Sequence, residues 1–170
     1  MDTDITVDTR SRSPGTRIHS TPTPLAMSRA QLRPARPDDA EAMARLLTHL
    51  GYPTDTAAAA ARLERVLGRP DYRVLMAEEE GEVVGMVGVF TGYGLTSEAP
   101  YARIISLVVD PAHRGGGVGA MLVSAAEAWA RERGAESLHL TTALHREGAH
   151  RFYERVGYER TGTRFYRRLD

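Results

Sequence analysis

RIISLVVDPAHRGGGVGAML, residues 103–122, changes its hydrophobic rhythm twice. Ile104 to Val109 is a β-branched run that reads as a buried strand. Asp110 and Pro111 stop it, because proline has no N–H for a ladder hydrogen bond. Arg114-Gly115-Gly116-Gly117-Val118-Gly119 follows, and a helical period then begins. Val118, Met121, Leu122, Ala125, Ala126 and Trp129 fall on one helix face. The unit is strand, glycine-rich loop, helix.

Such a unit suits an anion. The first turn of a helix carries N–H groups with no internal partner and the positive end of the macrodipole. Glycines remove the side chains that would hold a phosphate away, so backbone amides can surround it. Arg114 adds a permanent cation at the rim. A P-loop needs lysine beside Ser or Thr, and the chain has no lysine. Gly115, Gly117 and Ala120 satisfy G-x-G-x-x-G/A, but the dinucleotide fold brings its first glycine soon after the strand. Here Asp110 to Arg114 intervene, and the motif comes too late in the chain for that architecture.

Arg114 to Gly119 fits Q/R-x-x-G-x-G/A, and Ala149-His150-Arg151-Phe152-Tyr153-Glu154-Arg155-Val156-Gly157-Tyr158 fits A-x-x-F-Y-x-x-x-G-F/Y. In this order the two motifs resemble the GNAT superfamily of acetyl-CoA-dependent N-acetyltransferases, from about Gln31 to the C-terminus. The resemblance implies an α/β (α+β) fold, with a mixed, mostly antiparallel sheet of six to seven strands and four helices. It implies acetyl-CoA as cosubstrate, with its pyrophosphate in the Arg114, Gly115, Gly116, Gly117, Val118, Gly119 loop. Backbone groups of Leu107, Val108 and Val109 would pair with the pantetheine arm, as an added strand would. Tyr153 would be the general acid that protonates the departing CoA thiolate.

Two departures accompany it. Many members carry a Glu on the central strand to take the amine proton, where this chain has Arg103, Ile104, Ile105 and Ser106. Glu98, His145, Glu147 and a water chain are the remaining candidates, so the base is unassigned. Arg146 stands where many members place an Asn that contacts the cofactor. Gly81 to Met86 and Ala149 to Tyr153 look most like aminoalkylphosphonate acetyltransferases, which carry acidic residues at the positions of Arg103 and Ser106. Arg103 reads as an exposed salt-bridge residue, with pairing to an anionic acceptor as the sharper alternative.

The 170 residues suit one domain with a real core. Twenty-two arginines balance 22 acids, which gives no basic field for nucleic acid or an anionic membrane. Zero cysteines exclude disulfides, thiolate nucleophiles and Cys-based metal sites, and no metal is expected. No apolar run approaches the roughly 20 residues that span a bilayer. The expectation is a cytoplasmic enzyme acting on a small-molecule amine, with a homodimer open. A protein acceptor and a non-catalytic acyl-CoA-binding module are the rival readings.

Residues 1–30 are rich in Thr, Ser, Pro and Arg with few large apolar side chains, which predicts a disordered leader. It has no continuous apolar segment for a secretory signal, and Asp2, Asp4 and Asp8 argue against a transit peptide. Met27 is an alternative start. Residues 31–170 form the acetyltransferase domain. Gln31 to Arg36 reads as a first strand, and Pro37-Asp38-Asp39 opens a helix with acids in its first turn. Met43, Leu46, Leu47 and Leu50 form its apolar stripe, and Gly51 ends it.

Thr54 or Asp55 caps a second helix through the alanine run to Leu67; His49 and Tyr52 beside it read as partly exposed structural residues. Tyr72 to Ala77, a Glu80-Gly81 turn and Val83 to Phe90 form a hairpin. Glu78, Glu79, Glu80 and Glu82 read as its solvated tip. Leu138 to Thr142 is a further strand with His139 packed in it. The last helix carries Ala149, Phe152, Tyr153 and Val156 on one face and ends at Gly157. Tyr158 to Leu169 is expected to complete the sheet.

Overall fold

The computed structural model describes residues 29–169. Strand β1 (Gln31–Pro34) leads through a tight turn at Pro37–Asp39 into helices α1 (Ala40–His49) and α2 (Thr56–Glu64). Strands β2 (Tyr72–Glu79), β3 (Glu82–Gly92) and β4 (Tyr101–Val109) follow, then α3 (Val118–Glu132), β5 (Ser137–His139) and α4 (Glu147–Arg155). The sheet runs in sequence order, antiparallel from β1 to β4 and parallel between β4 and β5.

Local chemistry accounts for most boundaries. Glu80 (φ 53°) and Gly81 (φ 86°) both take the left-handed region, which a two-residue hairpin turn demands. Asp55 caps α2 by accepting the Ala58 N–H at 2.7 Å. Gly51 ends α1 at φ 96°, as its position after the apolar stripe predicts.

Both faces of the sheet carry packed helices. Under α3 lie Val84, Val87, Val89, Ala102 and Ile104, packed on Leu122, Val123, Ala126 and Trp129. The opposite face carries Met76, Met86 and Val108 under Leu46, Leu47 and Leu63 of α1 and α2. Leu122 and Leu46 are fully buried, and each such side chain contributes about 1.5–3 kcal/mol. Asp39 is the one buried charged residue among those described, at 6% exposure. Arg33 clamps it through two guanidinium nitrogens at 2.8 Å and reaches Glu78 at 2.6 Å, tying β1, the Pro37 turn and β2 together. Burial pushes the Asp39 carboxyl up, but hydrogen bonds from Arg33 and the Arg36 amide hold it below the ordinary range.

Several expectations need correction. The sheet has five strands among the described residues, where six to seven were expected. Tyr158 to Leu169 runs as irregular chain with Phe165, Tyr166 and Leu169 exposed at 92%, 75% and 89%. A closing strand needs a neighbouring edge, and β5 spans three residues where Leu138 to Thr142 was expected, so it offers little to pair with. His139 is exposed, since among the described residues no helix covers that end of the face. Glu78 leaves the solvated tip for Arg33. The leader assigned to residues 1–30, with Met27, lies outside the described residues except at Arg29 and Ala30, and Ala30 packs into the α3-side core.

Candidate active site

The site begins where β4 loses a neighbour. β5 pairs with Tyr101, Ala102 and Arg103 only. Beyond that, among the described residues, no strand lies along the second edge of β4 from Ile104 to Val109. An extended chain bearing amides could add there as a strand would. Leu107, Val108 and Val109 all border this edge. The Val108 side chain is buried at 4% exposure on the α1 side, and with the Asp110 N–H on the Val84 carbonyl the ladder turns the Val108 backbone to β3 and the backbone groups of Leu107 and Val109 to the free edge.

The free edge runs directly into the glycine loop. Asp110 accepts the Ala112 N–H at 3.0 Å and caps the Pro111–His113 turn, and Arg114 follows in extended backbone. Arg114 Nε donates to the Val109 carbonyl at 3.1 Å, and among the described residues its terminal nitrogens have no partner. Gly115 and Gly117 have φ of 84° and 87°, values that L side chains resist. Among the described residues, the amides of Gly115, Gly116, Gly117, Val118, Gly119 and Ala120 donate to no protein acceptor. The first protein bond of the α3 N-terminus is Met121 N–H to the Gly117 carbonyl at 3.0 Å. Together they form an anion cradle with a positive helix end beneath it.

The loop residues have different jobs. Val118, at 2% exposure, is a core anchor that offers only its amide. A Cβ on Gly119 would sit 3.3 Å from Phe152 Cζ, so that glycine lets α4 approach α3. A Cβ on Gly115 meets nothing within 4 Å. Arg45 of α1 holds the loop from below, pairing with Asp110 at 2.5 Å and donating to the Val83 carbonyl at 2.7 Å. Its role had no signal in the sequence, because its partners lie far along the chain. His49 and His113 flank Asp110 at 3.9 and 4.0 Å.

Tyr153 sits on α4 beside Phe152, whose ring centroid is 5.2 Å away, and Tyr158, at 5.9 Å. Burial raises its pKa, and the Arg146 cation opposes that rise. A phenol so placed stays protonated at neutral pH. Arg146 itself donates to the Leu50 carbonyl, linking the start of α4 to the end of α1. Glu98, His145 and Glu147 are exposed, Glu147 pairs with Arg151 at 3.4 Å, and none contacts Tyr153.

On the α1 side of the sheet, β4 carries a bulge. Gly88 faces Ser106 and Val89 faces Ile104, which leaves Ile105 as the extra residue. A Cβ on Gly88 would lie 2.7 Å from Ser106 Oγ, so glycine makes room for the bulge. Arg103 pairs in register with Phe90 and His139, not with an acid. The expected salt bridge does not form among the described residues; the partner is Thr141 Oγ1 at 3.5 Å.

The sequence pattern of the acetyltransferase (GNAT) family matches residues 39–158. The chain is 39% identical over 100 residues to an aminoalkylphosphonate N-acetyltransferase of Salmonella typhimurium, a match covering 59% of this chain and 65% of that protein. It is 30% identical to an aminoglycoside N(6')-acetyltransferase type 1 of Stenotrophomonas maltophilia, covering 85% of this chain and 96% of that one. A GNAT family acetyltransferase structure from Staphylococcus aureus superposes with a TM-score of 0.71 at 24% identity, covering 84% of this chain and all of that one, a likeness of fold. The family match, two-thirds of the chain and more, embraces β2 to β4, the amide cradle and Tyr153. The chain belongs to the GNAT acetyltransferase family.

Proposed function

We propose that this chain moves the acetyl group of acetyl-CoA to a primary amine of a small molecule. The observation that carries the reading is the continuity of two features among the described residues: the unpaired edge of β4 leads into six amides with no protein acceptor. A pantetheine arm lies along the edge at Leu107, Val108 and Val109, and the pyrophosphate sits over Arg114 to Gly119.

In the reaction the neutral amine nitrogen attacks the thioester carbonyl carbon and forms a tetrahedral adduct. The C–S bond then breaks, and the Tyr153 hydroxyl gives its proton to the leaving thiolate. The amine proton passes to water, since β4 carries Arg103 and Ser106 rather than a carboxylate. Burial keeps Tyr153 protonated until it is needed, and Arg146 stabilises the phenolate it leaves. Holding both reactants against one strand supplies much of the acceleration.

The test is free-thiol release from acetyl-CoA over a panel of small amines, with wild type and Tyr153→Phe. The variant keeps the ring contacts, so kcat is expected to fall about 100-fold or more while the KM for acetyl-CoA stays within about twofold. Release that survives undiminished in the variant removes the acid role. Binding of acetyl-CoA without release to any amine favours a protein acceptor or a binding module.

A further inference from the structure

We propose that Arg103 is an oxyanion anchor, and that the acceptor amine carries a phosphonate or carboxylate at its far end. This rests on the acetyl-transfer reading and adds the charge of the substrate to it. Arg103 is exposed on the α1 side of the sheet, beyond the part that α1 and α2 cover. Arg33, Arg45, Arg69, Arg131, Arg151 and Arg160 each hold a carboxylate. Arg103 holds none among the described residues, and its Thr141 contact is at the limit of a hydrogen bond. Its cross-strand neighbours are rings instead.

Those rings form a floor. Tyr72 and Phe90 have centroids 5.1 Å apart, Phe90 and Tyr101 6.3 Å, and Tyr101 and His139 6.0 Å. Phe90 and His139 share the register position of Arg103, so all three side chains rise from one face of the sheet, with the guanidinium reaching to Thr141. The fork of an arginine matches the two oxygens of a carboxylate or phosphonate, and the rings offer apolar surface to the carbon chain between anion and amine. The free edge begins at Ile104, and because Ile105 is bulged Arg103 and Ser106 face Phe90 and Gly88, two residues or about 7 Å apart along β3. An arginine side chain and a short amino acid-like acceptor span that gap.

The field around the site agrees. Thr141, which Arg103 touches, belongs to the loop that ends at Arg146, and Arg146 lies near enough to Tyr153 to act on its ionisation. Two cations bracket one loop. They favour an acceptor with a negative end, with Glu136 beside Tyr101 and His139 and Glu147 after Arg146 as the acids nearby.

The experiment compares 2-aminoethylphosphonate, β-alanine, propylamine and 1,3-diaminopropane as acceptors for wild type, Arg103→Gln, Arg103→Lys and Arg103→Glu. Wild type is expected to favour the two anionic amines over propylamine by about tenfold or more in kcat/KM. That ratio collapses in Arg103→Gln, returns in part in Arg103→Lys, and turns toward the diamine in Arg103→Glu. Equal losses for all four amines, or no preference in wild type, overturn the proposal.

Calorimetry of 2-aminoethylphosphonate binding to the enzyme with CoA gives a readout without turnover. Binding that needs Arg103 supports the anchor even if no amine is acetylated, in which case the transfer reading alone falls. Absence of binding in wild type, or equal binding in Arg103→Gln, overturns the anchor.

Discussion

Arg45 links the helix over one face of the sheet to the loop at its end, and removing it tests whether the cradle is held from below. The change Arg45→Ala deletes an ion pair to Asp110 and a hydrogen bond to the Val83 carbonyl. Arg45 is 44% exposed and Asp110 16%, so the pair is partly solvated. Such a pair is worth about 0.5–1 kcal/mol, and a bond from a charged donor about 1.5 kcal/mol. The expected loss is therefore about 2 kcal/mol, a fall in Tm of about 4–8 °C for a domain of this size.

A double-mutant cycle with Asp110→Asn separates the two parts. Urea unfolding of the four proteins should give a coupling of about 0.5–1 kcal/mol. Because Asp110 caps the turn before the amides, the KM for acetyl-CoA should rise by roughly two- to fivefold in Arg45→Ala. Additivity of the two single changes within about 0.3 kcal/mol, with an unmoved KM, would refute the reasoning.

Two other outcomes follow from titrating groups. The Asp39 carboxyl is held below its ordinary range, so the unfolded chain takes up its proton more readily, and the stabilisation is present above about pH 4 and lost as pH falls through the folded value. Asp39→Asn should cost about 1–3 kcal/mol at pH 7, with the gap to wild type closing in urea unfolding near pH 2; a gap constant with pH removes the ionic account. Arg146 lowers the pKa of Tyr153, and an acid must be protonated to act. In Arg146→Gln the alkaline fall of kcat should therefore move to higher pH, and a fall that stays in place or moves lower contradicts the assignment.

The strand, loop and helix at the centre of the chain were legible because their signals are local. A β-branched run, a proline stop, left-handed glycines and a helical stripe each act within a few residues. The same holds for the Glu80-Gly81 turn and for the cap of α2, which local sequence narrows to Thr54 or Asp55. What failed depended on distant partners. The alternation near Phe165 and Tyr166 suits a strand, but an edge must be there to receive it, and β5 is too short. Asp39 reads as an ordinary acid in a first helical turn until the fold brings Arg33 to it.

In the site the division is similar. The free amides follow from the glycine spacing, whereas Gly119 serves the approach of Phe152, which lies on another helix. Arg103 was read as a salt-bridge residue because charges usually find partners. Register decides that question, and register put rings beside it. His139 alternates with apolar residues as a packed strand residue does, yet among the described residues that corner of the face has no cover.

The extra residue in β4 splits the strand into two halves that are out of phase. Ala102 and Ile104 point under α3, and so do Leu107 and Val109, although odd and even numbers have changed places between them. The chain therefore counts its way to the site. Losing one residue at Ile105 would turn Arg103 inward and drive Ala102 and Ile104 out into water, reversing every side chain ahead of the deletion. The loop from Tyr93 to Pro100, where nothing is in step with a sheet, tolerates changes of length. For this acetyltransferase, which side chains of β4 share a face is a matter of arithmetic along one strand before it is a matter of side-chain chemistry.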